Sequence, residues 1–456
     1  MKILLIRPKP HKETIGLQHV MICEPLELEY ISSYLAQDGH RITIIDMILE
    51  RRSLERIIQE EDPDLVGITA YISHVKVVKE YAAVIKEQKP QCRVAVGGVH
   101  AEVVPEDLED KNIDYIIRAN GLKAFRQLAN NLYFPGKLQH MEELWGKDKG
   151  PCIKEQAFDF PFPDRTKVEK YRRRYYYMFH NPCALMKTSF GCPYACSFCF
   201  CRQITDRKYY TRPLNDVIEE LKTIDEDEIY IVDDDFLVDR DRVMEFCREL
   251  KKQGIQKKYL IYGRADFIAQ NEDVLKEFSQ WGLRSVIIGL ESCKEEELLK
   301  YNKRSSVMMN EKAIAILKKY GIECYAALIL GTDWNRKDFD NLYRWLKKLD
   351  LMFINLQPFT PLPGTDIFDS YKDQLLIPRE DYEKWDLAHL TLQPVNMSVS
   401  QYYCNMIGIY YKITMRPKNI LKMVKKYGFK QCLRLFVGSG IVSWQYMKKM
   451  IRGKQR

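Results

Sequence analysis

The stretch Ala184–Cys201, ALMKTSFGCPYACSFCFC, decides how the whole chain is read. It opens as a short apolar run suited to a buried strand, and four of the chain's 13 cysteines then crowd into the loop behind it. Their spacing is Cys192-x3-Cys196-x2-Cys199, with Cys201 two positions further on. Three thiolates within so short a loop can turn to one side. There they could take three irons of a four-iron cluster or three corners of a tetrahedral zinc site. A structural zinc wants a fourth protein ligand, and the chain has no second C-x2-C and no H-x3–5-H pair. Cys201 stands so close to Cys199 that the two would compete, so it is read as a bystander. A three-thiolate site left open keeps one metal position for a ligand from outside.

The strand ahead of the cysteines is the first of six. EIYIVDDDF (228–236), KYLIYGRADF (258–267), RSVIIGLES (284–292), IECYAALILG (322–331) and MFINLQPFTPLPG (352–364) follow, with helical stretches between them. This alternation predicts a partial (β/α)6 barrel over residues 181–375, with its chemistry at the C-terminal ends of the strands. Asp233, Asp234, Asp235, Arg264, Glu291, Ser292 and Gln357 all fall at those ends. Residues 1–140 alternate too: strands KILLIRP (2–8), RITIID (41–46), LVGITA (65–70), RVAVGG (93–98) and IDYIIR (113–118) are separated by helical spacing. That order predicts an α/β domain with a doubly wound parallel sheet, which binds ligands just beyond its strand ends. Residues 141–180, Pro-rich and then basic and aromatic, are expected to link the two domains.

Composition excludes several classes. A 46% hydrophobic, 29% charged chain of 456 residues suits a multidomain globular enzyme. No apolar run reaches the 18 residues that a membrane span needs. The start, MKILLIRPKPHK, turns basic too early for a secretory signal, so a reducing, cytoplasmic setting is expected. Cysteines there serve as thiols and ligands rather than disulfides. The net charge of +8 is a local property: from Tyr411 to Arg456 there are thirteen Lys and Arg and no Asp or Glu. Residues 376–456 are expected to form a basic helical extension, its last two helices broken near Gly428 or Gly438. A solvated basic face, an anionic membrane surface and nucleic acid are its three readings, with membrane or lipid ranked above nucleic acid.

TSFGCPYACSFC (188–199) resembles the cysteine loop of the radical S-adenosylmethionine (SAM) enzymes. The resemblance implies that Cys192, Cys196 and Cys199 hold a [4Fe-4S] cluster whose fourth iron is chelated by SAM. An electron from a flavodoxin- or ferredoxin-like donor would then cleave SAM to methionine and a 5′-deoxyadenosyl radical. The later strands are similar to the cobalamin-associated subgroup, which places Asp233, Asp234, Asp235, Arg264, Glu291, Ser292 and Gln357 around SAM. The segments LVGITAYISH, VAVGGVHAEVVPEDL and IDYIIRANG resemble that subgroup's cobalamin-binding domain. They imply a corrin beside Thr69, Ala70, Ser73, Gly97, Gly98 and His100. Two departures stand out. The D-x-H-x-x-G motif that supplies a lower histidine ligand elsewhere is absent, and ANGLKAF replaces the usual glycine-glutamate turn.

The implied function is cobalamin-dependent methylation of an unactivated carbon, with a small-molecule or lipid-like substrate; peripheral membrane contact stays one of the readings of the basic tail beside a solvated face. A radical SAM cyclisation, rearrangement or lyase reaction is the alternative, and a non-catalytic metal-binding protein a remote one.

Overall fold

The computed structural model describes residues 1–134, 141–146, 159, 161–205 and 208–452. All five expected N-terminal strands form: β1 (Lys2–Arg7), β2 (Arg41–Asp46), β3 (Leu65–Thr69), β4 (Arg93–Gly97) and β5 (Tyr115–Ile116). They lie in the order β2-β1-β3-β4-β5, each neighbouring pair parallel. Their residues alternate between two cores. Leu4, Ile6, Val66 and Ile68 pack on one face of the sheet, and Ile3, Leu5, Leu65 and Ala95 on the other. Burial on both faces is why these strands read as unbroken apolar runs. The helices α1 (Leu26–Gln37), α2 (Leu54–Glu61), α3 (Val75–Gln88) and α4 (Val99–Val103) connect them, and α5 (Gly121–Tyr133) follows β5. The chain passes from β1 to β2 on one side and returns to β3 on the other, which opens a crevice at the strand ends.

The second sheet holds the six predicted strands in sequence order, all parallel. They are β6 (Cys183–Met186), β7 (Glu228–Ile231), β8 (Lys258–Gly263), β9 (Leu283–Glu291), β10 (Glu323–Leu330) and β11 (Phe353–Pro358). β6 and β11 are edges, so the barrel is partial. Alternate residues divide as a barrel requires. Ala184, Ile229, Ile261 and Val286 meet the surrounding helices, while Leu185, Tyr230, Leu260, Ile287, Tyr325 and Phe353 form a separate inner cluster.

Residues 161–180, inside the expected linker, fold over the junction of the two sheets. Tyr176–Tyr177 pairs antiparallel with Met21–Ile22. Arg165 is buried at the seam. Its guanidinium donates to Glu24 (2.7 Å) and Glu29 (3.3 Å) at the entrance of α1, to the Leu185 carbonyl on β6 (2.9 Å), and to Glu220 (2.7 Å) on the helix Leu214–Lys222. Arg212 gives Glu220 a second cation.

The tail forms three helices, α6 (Val399–Thr414), α7 (Pro417–Tyr427) and α8 (Phe429–Arg452). The break comes at Gly428, in left-handed backbone with φ 80°. Gly438 does not break α8. A Cβ there would stand 2.1 Å from the His19 carbonyl, so the glycine lets the helix lie against the chain it covers. Tyr427 stacks on Phe179 at 3.8 Å and donates to Glu323 at the start of β10, and Leu435 joins the inner cluster. The tail therefore closes the amino end of the barrel. Among the described residues no helix is long and apolar enough to cross a membrane.

Removing the cation while leaving its buried carboxylates strands their charge. Arg165→Met should therefore cost about 3–5 kcal/mol of stability, read as a lowered midpoint in denaturant. An unchanged midpoint would show that the seam does not depend on this group.

Candidate active site

The strand-end residues hold the cysteine loop in place. Asp233, just past β7, accepts from the Thr188 amide (2.6 Å), the Thr188 hydroxyl (2.5 Å) and the Ser189 hydroxyl (2.7 Å). Asp234 accepts from the Gly191 amide at 2.9 Å and from the Cys201 thiol at 3.5 Å. Gly191 has φ +80°, and a Cβ there would lie 1.9 Å from the Lys208 carbonyl, so the turn into Cys192 needs glycine. On the other side Arg264 lies over the Tyr194 ring, 3.7 Å from its centroid, and its guanidinium reaches the Cys196 sulfur at 3.8 Å. Asp266 holds Arg264 at 2.9 Å, and the Lys303 carbonyl accepts from it. Asn302 donates to the Ala195 carbonyl at 2.8 Å and Tyr301 accepts from the Ser197 amide at 3.1 Å.

The three thiols lie near enough to act on one another electrostatically. Burial pushes Cys192 up to about 12 and also raises Cys196, where Lys303 and Arg264 oppose the rise. Among the described residues no three His, Cys, Asp or Glu side chains close on a single ion. A soft thiolate set with two cations behind Cys196 suits a multi-iron anionic cluster. Asp235 supports the same fit. Its Oδ1 accepts from the Leu237 amide at 3.0 Å, but Oδ2 is buried without a partner, and burial raises the carboxyl to about 7. A donor on a bound cofactor would satisfy it.

Glu291 takes φ +60° where the β9–β10 register slips, and pairs with Lys303 at 2.6 Å. A Cβ on Gly289 would meet the Glu291 carboxylate at 2.1 Å. The register slip and the Lys303 ion pair hold this backbone in place. Ser292 turns away and donates to Glu297, and Gln357 is half-buried on β11. Of the residues predicted around SAM, Asp233, Asp234 and Arg264 thus brace the cysteine loop, and Asp235 keeps an open acceptor.

Opposite stands the crevice of the first sheet. Gly98 has φ +102°, and a Cβ there would come within 2.8 Å of the Ala70 amide and 2.9 Å of the Thr69 hydroxyl. The Ala70 amide donates to the Gly97 carbonyl and the Ala70 carbonyl accepts from His100, so the two predicted loops are stitched together. Ser73 is half-buried in the turn between β3 and α3. His100 is buried with its Nε2 at 3.0 Å from Asp107, which fixes the orientation of its ring. Sequence reasoning missed Glu27, Tyr71 and Tyr262. Tyr71 and Tyr262 are 51% and 38% exposed, yet burial raises all three acids; across the gap Tyr71 feels Tyr262, and Tyr262 feels Cys23. Accessible atoms whose charge is nonetheless desolvated line an interior hollow. Both tyrosines end or follow a strand, which was the available signal. The helix α4 packs against the short helix Cys201–Ile204 behind the cysteines, and a Cβ on Gly364 would strike Val103 at 2.2 Å. The hollow therefore lies between the two strand-end faces.

Residues 14–129 match the B12 binding domain and residues 186–346 the radical SAM superfamily. This chain is a radical SAM protein with a B12 binding domain. Its cofactors are accordingly SAM, a [4Fe-4S] cluster and cobalamin. The chain is 29% identical over 415 residues to the hopanoid C-3 methylase of Methylococcus capsulatus, covering 89% of this chain and 79% of that one. It is 24% identical to an anaerobic magnesium-protoporphyrin IX monomethyl ester cyclase of Cereibacter sphaeroides, covering 97% and 76%. It shares its fold with the radical SAM methyltransferase TsrM from Kitasatospora setae, at 14% identity and a TM-score of 0.69 over 99% of both chains.

Asp235 gives a pH test. Its raised value means that the folded state holds a proton that the unfolded state releases, so its contribution is complete below about 4 and is lost as pH rises through about 7. Cofactor-free Asp235→Asn should be more stable than the parent at pH 8, by about 2–4 kcal/mol, with the gap closing toward pH 4. Melting curves across that range check it, and a gap independent of pH would refute it.

Proposed function

We propose that this radical SAM protein is a cobalamin-dependent methyltransferase acting on an unactivated carbon of a small-molecule or lipid-like substrate. The observation that carries the reading is the apposition of the two strand-end faces: α4 of the B12 binding domain rests on the helix behind the cysteines, with the Glu27–Tyr71–Tyr262 hollow between them. In this reading the Cys192, Cys196 and Cys199 thiolates hold the cluster, and a flavodoxin- or ferredoxin-like partner in the cytoplasm supplies the electron. When bound, the cluster with SAM supplies hydrogen-atom abstraction, and cobalamin supplies a transferable methyl group.

The chain's own residues do the rest. Asp233 and Asp234 fix where the loop leaves β6, and Arg264 with Lys303 sets positive charge behind Cys196, favouring its thiolate. Asp235 offers its unpartnered oxygen to an amino or hydroxyl donor. Gly98 keeps the crevice floor flat enough for a broad ring to approach, since any side chain there collides with Ala70 and Thr69. The apolar inner cluster and the closing tail keep water from the barrel's amino end.

The similarity to the cyclase keeps a second reading, radical ring closure. The two part on SAM. The methyltransferase reading requires corrin-dependent formation of S-adenosylhomocysteine as well as 5′-deoxyadenosine, whereas cyclisation yields no S-adenosylhomocysteine. Anaerobically purified chain given hydroxocobalamin should retain about one corrin per chain, from one switch-point crevice, with a base-off spectrum. Cys192→Ala, Cys196→Ala and Cys199→Ala should each abolish iron retention and SAM cleavage, while Cys201→Ala should keep both. Normal SAM cleavage with no retained corrin would remove methylation.

A further inference from the structure

We propose that the outward face of α8 docks this protein on the surface of an anionic bilayer. The helix has two apolar sides, and only one of them is used by the fold. Leu435, Gly438 and Tyr446 face inward, against the inner cluster, the His19 carbonyl and Tyr403 respectively. Phe429, Leu433, Phe436, Val437, Ile441 and Trp444 recur at three- and four-residue spacing on the opposite side. Phe429 is 69% exposed, Phe436 55% and Trp444 53%. Scattered exposed apolar residues are ordinary, but a continuous stripe along several turns marks an interaction face.

Charge selects the partner. The tail's basic residues fall into two groups. Lys422, Lys426, Arg434 and Lys449 are tied to the body, through Asp350, Glu323, the Met178 carbonyl and Glu13. Among the described residues Lys425, Lys430 and Lys448 have no carboxylate at salt-bridge distance, and Lys448 lies 5.7 Å over the Trp444 ring. No Asp or Glu occurs from Tyr411 onward. An apolar stripe edged by unpaired ammonium groups and a tryptophan complements anionic headgroups above an acyl boundary. Among the described residues no helix can span, so α8 would lie in the interface plane. Its inner side would hold the barrel's inner cluster about one helix diameter, roughly 10 Å, from the lipid. The docking does not depend on which reaction the barrel performs.

The test is co-sedimentation of the full chain with vesicles of phosphatidylcholine alone and of phosphatidylcholine with phosphatidylserine, at low and high salt. Two variants are compared, Phe436→Ser/Trp444→Ser and Lys430→Glu/Lys448→Glu, each first matched to the parent in melting temperature. The parent should bind the phosphatidylserine vesicles, with affinity falling as salt rises. Each variant should lose roughly tenfold or more of that affinity. No binding to either vesicle, or binding unchanged in both variants, overturns the proposal. A concentration-dependent dimer in sedimentation velocity that Phe436→Ser/Trp444→Ser abolishes, without vesicle binding, would instead assign the face to a second copy and overturn it equally.

Discussion

The structure depends on one buried cation. Arg165 lies among Glu24, Glu29 and Glu220, and its Nη2 also donates to a β6 carbonyl. Three carboxylates taken out of water need their cations, Arg165 for all three and Arg212 for Glu220 besides, and burial raises Glu29 well above its usual range even so. Two of the acids belong to the entrance of the first domain and one to a helix of the barrel. The ion cluster thus fixes the angle at which two separately cored sheets meet, and with it the distance between their strand ends. An apolar patch of similar area would attract the domains without fixing their orientation so narrowly.

That orientation matters because each domain brings half of a site. The barrel contributes a cysteine loop whose shape is imposed from outside it, by two aspartates at the end of β7 and an arginine at the end of β8. The loop has little regular structure of its own, so its course depends on neighbouring strand ends that hold its backbone groups. The first domain contributes a crevice whose floor is stitched between β3 and β4 and kept bare by Gly98. The hollow between these halves is lined by Tyr71, Tyr262 and Glu27, exposed side chains whose acids burial nonetheless raises.

The tail extends the same logic. Its inner side completes the barrel by covering the amino-end cluster, and Gly428 and Gly438 make that possible in different ways. One turns the chain between helices, and the other removes a side chain where helix and loop touch. The outer side of α8 stays apolar although the fold does not need it.

The sequence by itself determined the eleven long and short strands of the two sheets, because parallel strands buried on both faces must be apolar throughout and such runs stand out against helical spacing. It also placed Cys192, Cys196 and Cys199 in one loop, a spacing that is purely local and on which the proposed cluster site rests. Tertiary structure alone decided what the strand-end residues do. Asp233, Asp234 and Asp235 are consecutive and chemically identical, yet two brace the loop and one keeps an open acceptor, because partners distant in sequence reach only the first two. The partner of His100 is likewise a matter of the fold: Asp107, seven positions on, holds its ring. Arg165 lay in a stretch read as a linker, since a pattern of apolar spacing carries no record of where three distant carboxylates will gather. Only the folded chain brings them within hydrogen-bond distance, and desolvation then makes that gathering decisive.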